Sequence, residues 1–266
     1  MTDKPKDPPM KNHTPGKQKG KARVSGREMA VRLRTAGKRT TSQQKWLERQ
    51  LNDPYVARAK AEGWRSRAAY KFKEIDDKYH LLKPGMRIID LGCAPGGWCQ
   101  LAAERVRAAD EGTSGPADAG EKLPGGFSRQ ASAKGKVIGV DLLPVDPIPG
   151  VKLMEMDFMS PEADDCLKAE LGGLADGVLS DMAANTTGHK KTDHLRIIGL
   201  AEGAVAFARE VLAPGGFFLC KLFQGGDTAK LVTELKRDFA TVRHVKPQAS
   251  RADSSELYVL ATGFRG

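Results

Sequence analysis

The sequence predicts an α/β fold in which a mostly parallel sheet is covered by helices on both faces. From residue 86 onward, short apolar runs typical of strands alternate with longer runs of helical period. Most of the strand runs are apolar throughout, as expected for strands buried on both faces of a parallel sheet. The last two strand runs have no helix between them, so one of these strands is expected to run antiparallel.

The individual elements follow from these runs in chain order. A partly helical stretch, SQQKWLERQLNDPYVARAKAEGW, precedes a helix within residues 65–82 that places Ala69, Phe72, Ile75 and Tyr79 on one face. The strands are predicted over MRIID, KVIGVDLL, KLMEMDF, ADGVLSDM, GFFLCKLFQ, TVRHVKP and ELYVLATGF. The intervening helices are predicted over WCQLAAERVRAA, PEADDCLKAEL, TDHLRIIGLAEGAVAFAREVL and DTAKLVTELKRDF, and the third of these stops at APGG.

The chain divides into a basic arm and a folded domain. Residues 1–45 are predicted to be a disordered N-terminal arm, and residues 46–266 to form the domain, with a flexible Gly/Pro-rich insertion at 107–135. The net charge is +10, and residues 1–50 hold 14 lysines and arginines against four acids. Such an arm favours a polyanionic partner, most simply nucleic acid, although a solvated extension that only aids solubility is the alternative.

Several classes of protein are disfavoured by what the sequence lacks. No secretory segment is recognisable, and no apolar run approaches the roughly 18 residues that a membrane-spanning helix needs. The four cysteines form no CxxC pair, and the five histidines do not fall at metal-ligand spacing. We therefore expect a cytoplasmic protein with reduced thiols, no metal centre and no membrane partner.

A glycine-rich turn, DLGCAPGGW at residues 90–98, follows the first predicted strand and opens a helix. Gly92, Gly96 and Gly97 allow a ligand to approach the backbone closely, and the amides at a helix N-terminus favour electron-rich groups. The spacing G-x-x-x-G-G differs from the dinucleotide fingerprint G-x-G-x-x-G, and the phosphate-binding motif GxxxxGK[ST] is absent. The turn therefore predicts a nucleotide-like cofactor of another kind.

Acidic residues follow the next strands at the same edge of the predicted sheet. Asp141 ends the second strand, where a carboxylate can accept both ribose hydroxyl protons of an adenosine. Asp157 follows the third strand, where it could accept from an adenine amino group, and Asp181 ends the fourth. Each acid alone could equally be a helix cap or a turn residue. Together they favour a positively charged cofactor, and S-adenosylmethionine fits.

A lysine lies in the most apolar strand of the chain. Lys221 is part of GFFLCKLFQGG, and a buried ammonium is costly unless it is paired or loses its proton. A lysine that is uncharged near neutral pH can act as a general base, whereas a lysine at a strand end can simply reach solvent. Lys71 and Glu256 would attract no notice by themselves.

The order of the motifs resembles one enzyme family. RSRAAYKFKEI, DLGCAPGGW, VIGVDLLP, SDMAAN, LAPGG, KLFQGG and SRADSSELYVLATG occur as in bacterial FtsJ/RlmE-type ribosomal RNA large subunit (23S rRNA) ribose 2′-O-methyltransferases. The resemblance covers about residues 63–264 except the insertion. It implies a Rossmann-like, S-adenosylmethionine-dependent methyltransferase fold with a seven-stranded sheet whose last strand is antiparallel. Ala184 stands where the family usually has proline.

The resemblance also implies the roles of particular residues. The catalytic tetrad of the family matches Lys71, Asp181, Lys221 and Glu256, with Lys221 as the base. The cofactor-binding positions match Gly96, Trp98, Asp141, Asp157 and Asp181. The implied substrate is a uridine ribose in 23S rRNA, methylated on the assembled large ribosomal subunit by a monomeric enzyme. Near the entrance to the site, contacts to RNA are expected from Arg65, Arg67, Lys71, Lys73, Lys246 and Arg251.

Three alternatives remain open from the sequence. The same chemistry could act on the ribose of transfer RNA or of an mRNA cap, because related enzymes share the tetrad. A ribosome-assembly factor that binds RNA without catalysis is disfavoured, because all four tetrad positions are filled. A nicotinamide-dependent oxidoreductase is disfavoured by the glycine spacing.

Overall fold

The computed structural model describes residues 40–109, 134–183, 190–223, 228–251 and 254–266. Most of the predicted N-terminal arm and of the insertion, together with Ala184, therefore lies outside the described residues. One compact unit spans Arg49–Gly266, and the described part of the other, Met1–Glu48, is the beginning of the first helix.

A seven-stranded sheet forms the centre of the larger unit. Its strands are β1 (Arg87–Leu91), β2 (Lys136–Asp141), β3 (Val151–Glu155), β4 (Ala175–Ser180), β5 (Leu212–Phe223), β6 (Phe239–Val245) and β7 (Glu256–Phe264). Their spatial order is β3-β2-β1-β4-β5-β7-β6. Neighbouring strands are parallel from β3 to β5, whereas β7 is antiparallel to both β5 and β6. The predicted fold class is confirmed, including the antiparallel final strand.

The helices are α1 (Thr41–Leu51), α2 (Pro54–Glu62), α3 (Ala68–Tyr79), α4 (Gly97–Val106), α5 (Ala163–Leu171), α6 (Lys190–Val211) and α7 (Thr228–Asp238). Because successive strand residues point to opposite faces, Ile88 packs in a core with α3 and α4, while Ile89 packs in a second core with α5, α6 and α7. Both faces of the sheet are thus covered, as predicted. None of the helices in the described ranges is long and apolar enough to cross a membrane.

The start of the fifth strand needs correction. The helix before APGG ends as predicted, because α6 stops at Val211; β5, however, begins at Leu212 and includes APGG, whereas the strand was predicted to start only at GFFLCKLFQ. The register with β4 shifts there, since Leu212 and Phe217 are the paired residues and the four residues between them bulge out. Tyr79, predicted on the same face of α3 as Phe72 and Ile75, is partly buried at the end of the helix and packs against the same core.

The strand order changes direction at the pair β1 and β4. The chain moves outward from β1 through β2 to β3, then returns to place β4 on the other side of β1. Ligands of open α/β sheets bind at such a switch point, beyond the carboxyl ends of the strands. Leu91 and Ser180 are the last paired residues, and the amide of Asp181 donates to the Leu91 carbonyl oxygen at 3.1 Å. The fold therefore brings the glycine turn and Asp181 together.

Candidate active site

The glycine turn starts at Gly92, which has a φ of +76°. The amides of Gly92 and Cys93 both donate to the carbonyl oxygen of Val140, at 2.8 and 3.0 Å, and so join the turn to β2. A Cβ atom at position 92 would lie 2.7 Å from the Met182 side chain, so only glycine fits between β1 and the segment after β4. Gly92 lines two adjoining cavities, which form the candidate site.

Gly96 and Trp98, two predicted cofactor residues, have different surroundings. Gly96 has a φ of +105° and lines neither of the two cavities, so its part in the described structure is to make the turn before α4. Trp98 is buried, and its ring lies 5.0 Å from the Phe72 ring and 5.6 Å from the Tyr258 ring. Its indole nitrogen donates to a carbonyl oxygen of α3 at 2.9 Å, and its side chain borders the smaller cavity.

The larger cavity has three acids in an otherwise mainly apolar wall. Asp141, Asp157 and Asp181 line it, as predicted from their positions after successive strands. Both carboxylate oxygens of Asp141 accept backbone amides at 2.9 Å, one from Ala94 in the glycine turn and one from Leu143. Asp141 therefore fixes the turn and still has lone pairs available to a ligand. The apolar wall includes Val140, Leu142, Leu143, Met156, Phe158, Met159, Met182 and Leu200.

The smaller cavity is lined by an acid, Asp90, that was not among the predicted site residues. Asp90 is the second-to-last residue of β1 and is fully buried. Its carboxyl group accepts a hydrogen bond from the Cys99 thiol at 3.2 Å. Its other carboxyl oxygen has no hydrogen-bond partner among the described residues. Burial raises the pKa of Asp90 to about 8, an effect that the charges of Asp181 and Asp141 increase. The signal in the sequence was an acid within an apolar strand, directly before the glycine turn.

The four predicted tetrad residues converge as two ion pairs. The ammonium nitrogen of Lys221 lies 2.9 Å from Oδ1 of Asp181, and it also donates to the Asp181 backbone carbonyl. The ammonium nitrogen of Lys71 lies 2.7 Å from Oε1 of Glu256. The four side chains are between 8% and 19% exposed, so both pairs are largely removed from water. Glu256, which attracts no notice in the sequence by itself, is thus mostly covered.

Tyr258 joins the two ion pairs. Its hydroxyl lies 3.3 Å from Oδ1 of Asp181 and 3.2 Å from Oε1 of Glu256, and it lies opposite Lys221 in the pairing of β5 with β7. Burial, together with the charges of the two carboxylates, raises the pKa of Tyr258 well above its usual value, so the phenol remains a hydrogen-bond donor. The hydroxyl of Ser250 also donates to Glu256, at 3.0 Å.

Glu256 is held in its charged form. Burial by itself would raise the pKa of its carboxyl group, but the Lys71 ammonium and the hydrogen bonds from Lys71 and Ser250 lower it below the usual value. The Glu256 carboxylate thus provides a fixed negative charge beside Lys71. Lys71 also lies 6.0 Å from the centre of the Tyr258 ring.

The basic residues predicted to contact RNA differ in their partners. Arg65 donates to the carbonyl oxygens of Asp146 and Pro147 at 2.6 Å each, so its guanidinium fixes a loop of the protein. Lys73 pairs with Asp77 on α3, and Lys246 donates to the Ser254 carbonyl oxygen. Arg67 and Arg251, in contrast, both pair with the carboxylate of Asp53.

The arrangement can bring a base to a small-molecule ligand. Asp181 borders both cavities and binds Lys221, so a group seated between the cavities would lie beside the tetrad. The Asp181 carboxylate gives the smaller cavity a negative charge, and the unpartnered carboxyl oxygen of Asp90 is a further polar group available to a ligand there. The chemistry that fits is attack by a nucleophile whose proton Lys221 removes.

Comparisons with known proteins agree with this architecture. The family model for FtsJ-like methyltransferases matches residues 64–264. A protein of Xanthobacter autotrophicus named ribosomal RNA large subunit methyltransferase E is 61% identical over 241 residues, covering 91% of this chain and 86% of the relative. A Bradyrhizobium protein of the same name is 60% identical over 238 residues, covering 90% and 94%. A crystal structure from Plasmodium falciparum, named as a ribosomal RNA methyltransferase, shares 31% identity with a TM-score of 0.61 and covers 76% of this chain and 100% of its own.

Proposed function

Because the chain belongs to the FtsJ-like methyltransferase family, we propose that it methylates a ribose 2′-hydroxyl of a uridine in 23S rRNA, within the large ribosomal subunit. The family expected from the sequence motifs is confirmed, and so is the enzyme class. The relatives named for large-subunit ribosomal RNA cover nearly the whole chain and support this substrate over transfer RNA or an mRNA cap. The observation that carries the proposal is the contact of Lys221 with Asp181 at the junction of the two cavities.

The residues that line the two cavities fit S-adenosylmethionine in their chemistry. The larger cavity would hold the adenosine, with the Asp141 oxygens accepting from the ribose hydroxyls and Asp157 near the adenine. The smaller cavity would hold the charged amino-acid end, where Asp90 has an unpartnered oxygen. When bound, the cofactor supplies a methyl group on a positively charged sulfur.

The residues of this chain would then activate the ribose oxygen. Lys221 in its uncharged form would accept the proton of the 2′-hydroxyl, so that the ribose oxygen could take the methyl group that the bound cofactor would supply and leave that cofactor as a neutral thioether. The carboxylate of Asp181, 2.9 Å from the Lys221 nitrogen, stabilises the ammonium that forms. Tyr258 ties Asp181 to Glu256, and Glu256 holds Lys71, so the second lysine can meet the RNA at a fixed position. Positioning supplies much of the remaining rate.

The direct test is transfer of radiolabelled methyl groups from S-adenosylmethionine to large ribosomal subunits, naked 23S rRNA, transfer RNA and capped mRNA, followed by mapping of the product. We expect a single 2′-O-methyluridine in 23S rRNA, recognised by its resistance to alkaline cleavage at that ribose. Methylation only of transfer RNA or of a cap would replace the substrate. Methylation of no RNA would favour a non-catalytic assembly role.

We also propose that residues 1–45 act as an RNA-binding arm in the cytoplasm and that residues 46–266 carry catalysis. The support is the concentration of 14 basic residues in residues 1–50. Deleting residues 1–39 should weaken binding to ribosomal RNA and flatten its salt dependence, while the affinity for S-adenosylmethionine stays the same. An unchanged salt dependence would remove the arm from RNA binding.

A further inference from the structure

We propose that a groove beside the tetrad binds the RNA phosphate adjacent to the methylated ribose, an inference that rests on the proposed function. This arginine groove is formed where the end of α1, the start of α2 and the segment before β7 meet. Arg49, Arg67 and Arg251 line it. Asp53 is the sole acid among the described residues of its wall, so these charged side chains leave the groove with a surplus of two positive charges.

Asp53 holds two of these arginines in place. One of its carboxylate oxygens accepts from both the Arg67 guanidinium and the Arg251 guanidinium, the latter through Nη2 at 3.0 Å and Nε at 3.3 Å. The other oxygen accepts the amide of Tyr55 at 3.0 Å and caps α2. The Asp53 side chain is only 7% exposed, whereas that of Arg251 is 31% exposed. Asp53 is therefore a positioning residue that presents Arg251 to the groove.

Polar contacts link the wall of the groove to the tetrad. Ser250 lines the groove, and its hydroxyl donates to the Glu256 carboxylate at 3.0 Å. The same carboxylate binds Lys71 at 2.7 Å. Arg67 donates in addition to the Ala249 carbonyl oxygen, which fixes the segment that carries both Ser250 and Arg251. Two polar contacts thus separate the groove wall from the ammonium of Lys71.

The chemistry of the substrate places a phosphate next to the ribose that the tetrad would bind. In an internal nucleotide the 2′-hydroxyl is on C2′ and the phosphate is on the oxygen of the adjacent C3′. An enzyme that binds the hydroxyl therefore also meets that anion. Guanidinium groups bind phosphate oxygens through paired N–H donors, a geometry that an ammonium lacks. The Arg251 side chain is 31% exposed and Arg49 is exposed on the same groove, so a phosphate can reach both guanidinium groups. We therefore assign the phosphate to Arg251 and Arg49.

The test compares Arg251→Ala with the matched control Arg58→Ala in the full-length protein, with large ribosomal subunits as the methyl acceptor and a 23S rRNA fragment as the binding probe. Arg58 is 57% exposed on α2, pairs with Glu62 and does not line the groove. For Arg251→Ala we expect the KM for the subunit to rise about tenfold while kcat changes much less. The plot of log affinity against log salt should become shallower by about 0.7 to 0.9, the loss of one phosphate contact. Arg58→Ala should show neither effect.

Two more variants separate the role of shape from that of charge. Arg251→Lys keeps the charge but not the paired donors, so we expect the normal salt slope with a raised KM. Asp53→Asn keeps the helix cap but releases the arginines, so we expect a raised KM with an unchanged affinity for S-adenosylmethionine. The proposal is overturned if Arg251→Ala keeps the wild-type KM and salt slope, or if Arg58→Ala changes them equally. Because every comparison is made to an active wild type, absence of methylation by the wild type would instead contradict the proposed function.

Discussion

Replacing Asp90 by asparagine should make the stability of the protein less dependent on pH. The folded chain holds the Asp90 proton up to a pKa of about 8, whereas the usual value is 3.8. Between these two pH values the unfolded chain has lost this proton and the folded chain has kept it, so the stability of the wild type falls as the pH rises. At 1.36 kcal/mol per pH unit, the full window corresponds to about 6 kcal/mol.

Asparagine has nearly the shape of aspartic acid, and it does not titrate. As the pH rises, the free energy of unfolding of the wild type should fall relative to that of Asp90→Asn by about 1.4 kcal/mol per pH unit. The difference between the two proteins should therefore change by about 3 kcal/mol between about pH 5 and about pH 7.5. The carbonyl oxygen of asparagine can still accept from the Cys99 thiol. Any fixed cost of the substitution shifts the whole difference by a constant and leaves its slope unchanged.

The assay is urea unfolding of both proteins without cofactor at four pH values in this range, followed by tryptophan fluorescence, to which the buried Trp98 contributes. Equal slopes against urea would show that the two proteins unfold from comparable states. A difference in stability that stays constant across the pH range would refute the reasoning, because Asp90 would then carry no excess proton in the folded chain.

Three further substitutions test the site. Tyr258→Phe removes the hydroxyl that joins Asp181 and Glu256, so we expect a loss of about 1–3 kcal/mol in urea unfolding and a lower kcat; a variant as stable and active as wild type would contradict the link. Because the pKa of Glu256 is lowered in the folded chain, its ionised carboxylate should contribute fully to the free energy of unfolding above pH 4.5, and this contribution should be lost as the pH falls below that value. The melting temperature of Glu256→Gln should fall less than that of the wild type as the pH drops below 4.5. The same fall in both proteins would contradict this role of Glu256. Asp141→Asn replaces an oxygen that accepts a backbone amide, so calorimetry should show S-adenosylmethionine binding at least about tenfold more weakly, and equal affinity would exclude Asp141 from the cofactor site.

The fold could be predicted largely from the sequence because its signals are local. Apolar strand runs such as those containing Ile88 and Ile89 need burial on both sides, and the missing helix between β6 and β7 indicated an antiparallel strand. The strand status of APGG could not be predicted, because glycine and proline favour turns locally, and only the pairing of Leu212 with Ala175 extends β5 through them.

The site depended on contacts between distant parts of the chain. Lys71 and Glu256 are separated by 185 positions, and their pairing was expected only from the family resemblance. Tyr258 reads as an ordinary strand residue, and its bridging hydroxyl emerges only when β7 lies beside β5. Arg65 was expected to bind RNA because it is basic, but a residue's charge does not reveal the backbone carbonyls that surround it.

The central claim is that Lys221 removes the proton from the ribose hydroxyl, and Lys221→Arg tests it most directly. Arginine keeps a positive charge opposite Asp181, but its guanidinium does not lose a proton near neutral pH. The measurement is the single-turnover rate of methyl transfer to large ribosomal subunits, with S-adenosylmethionine affinity measured in parallel. The account predicts a rate at least about 100-fold below wild type with cofactor affinity retained. A rate equal to that of the wild type would contradict it.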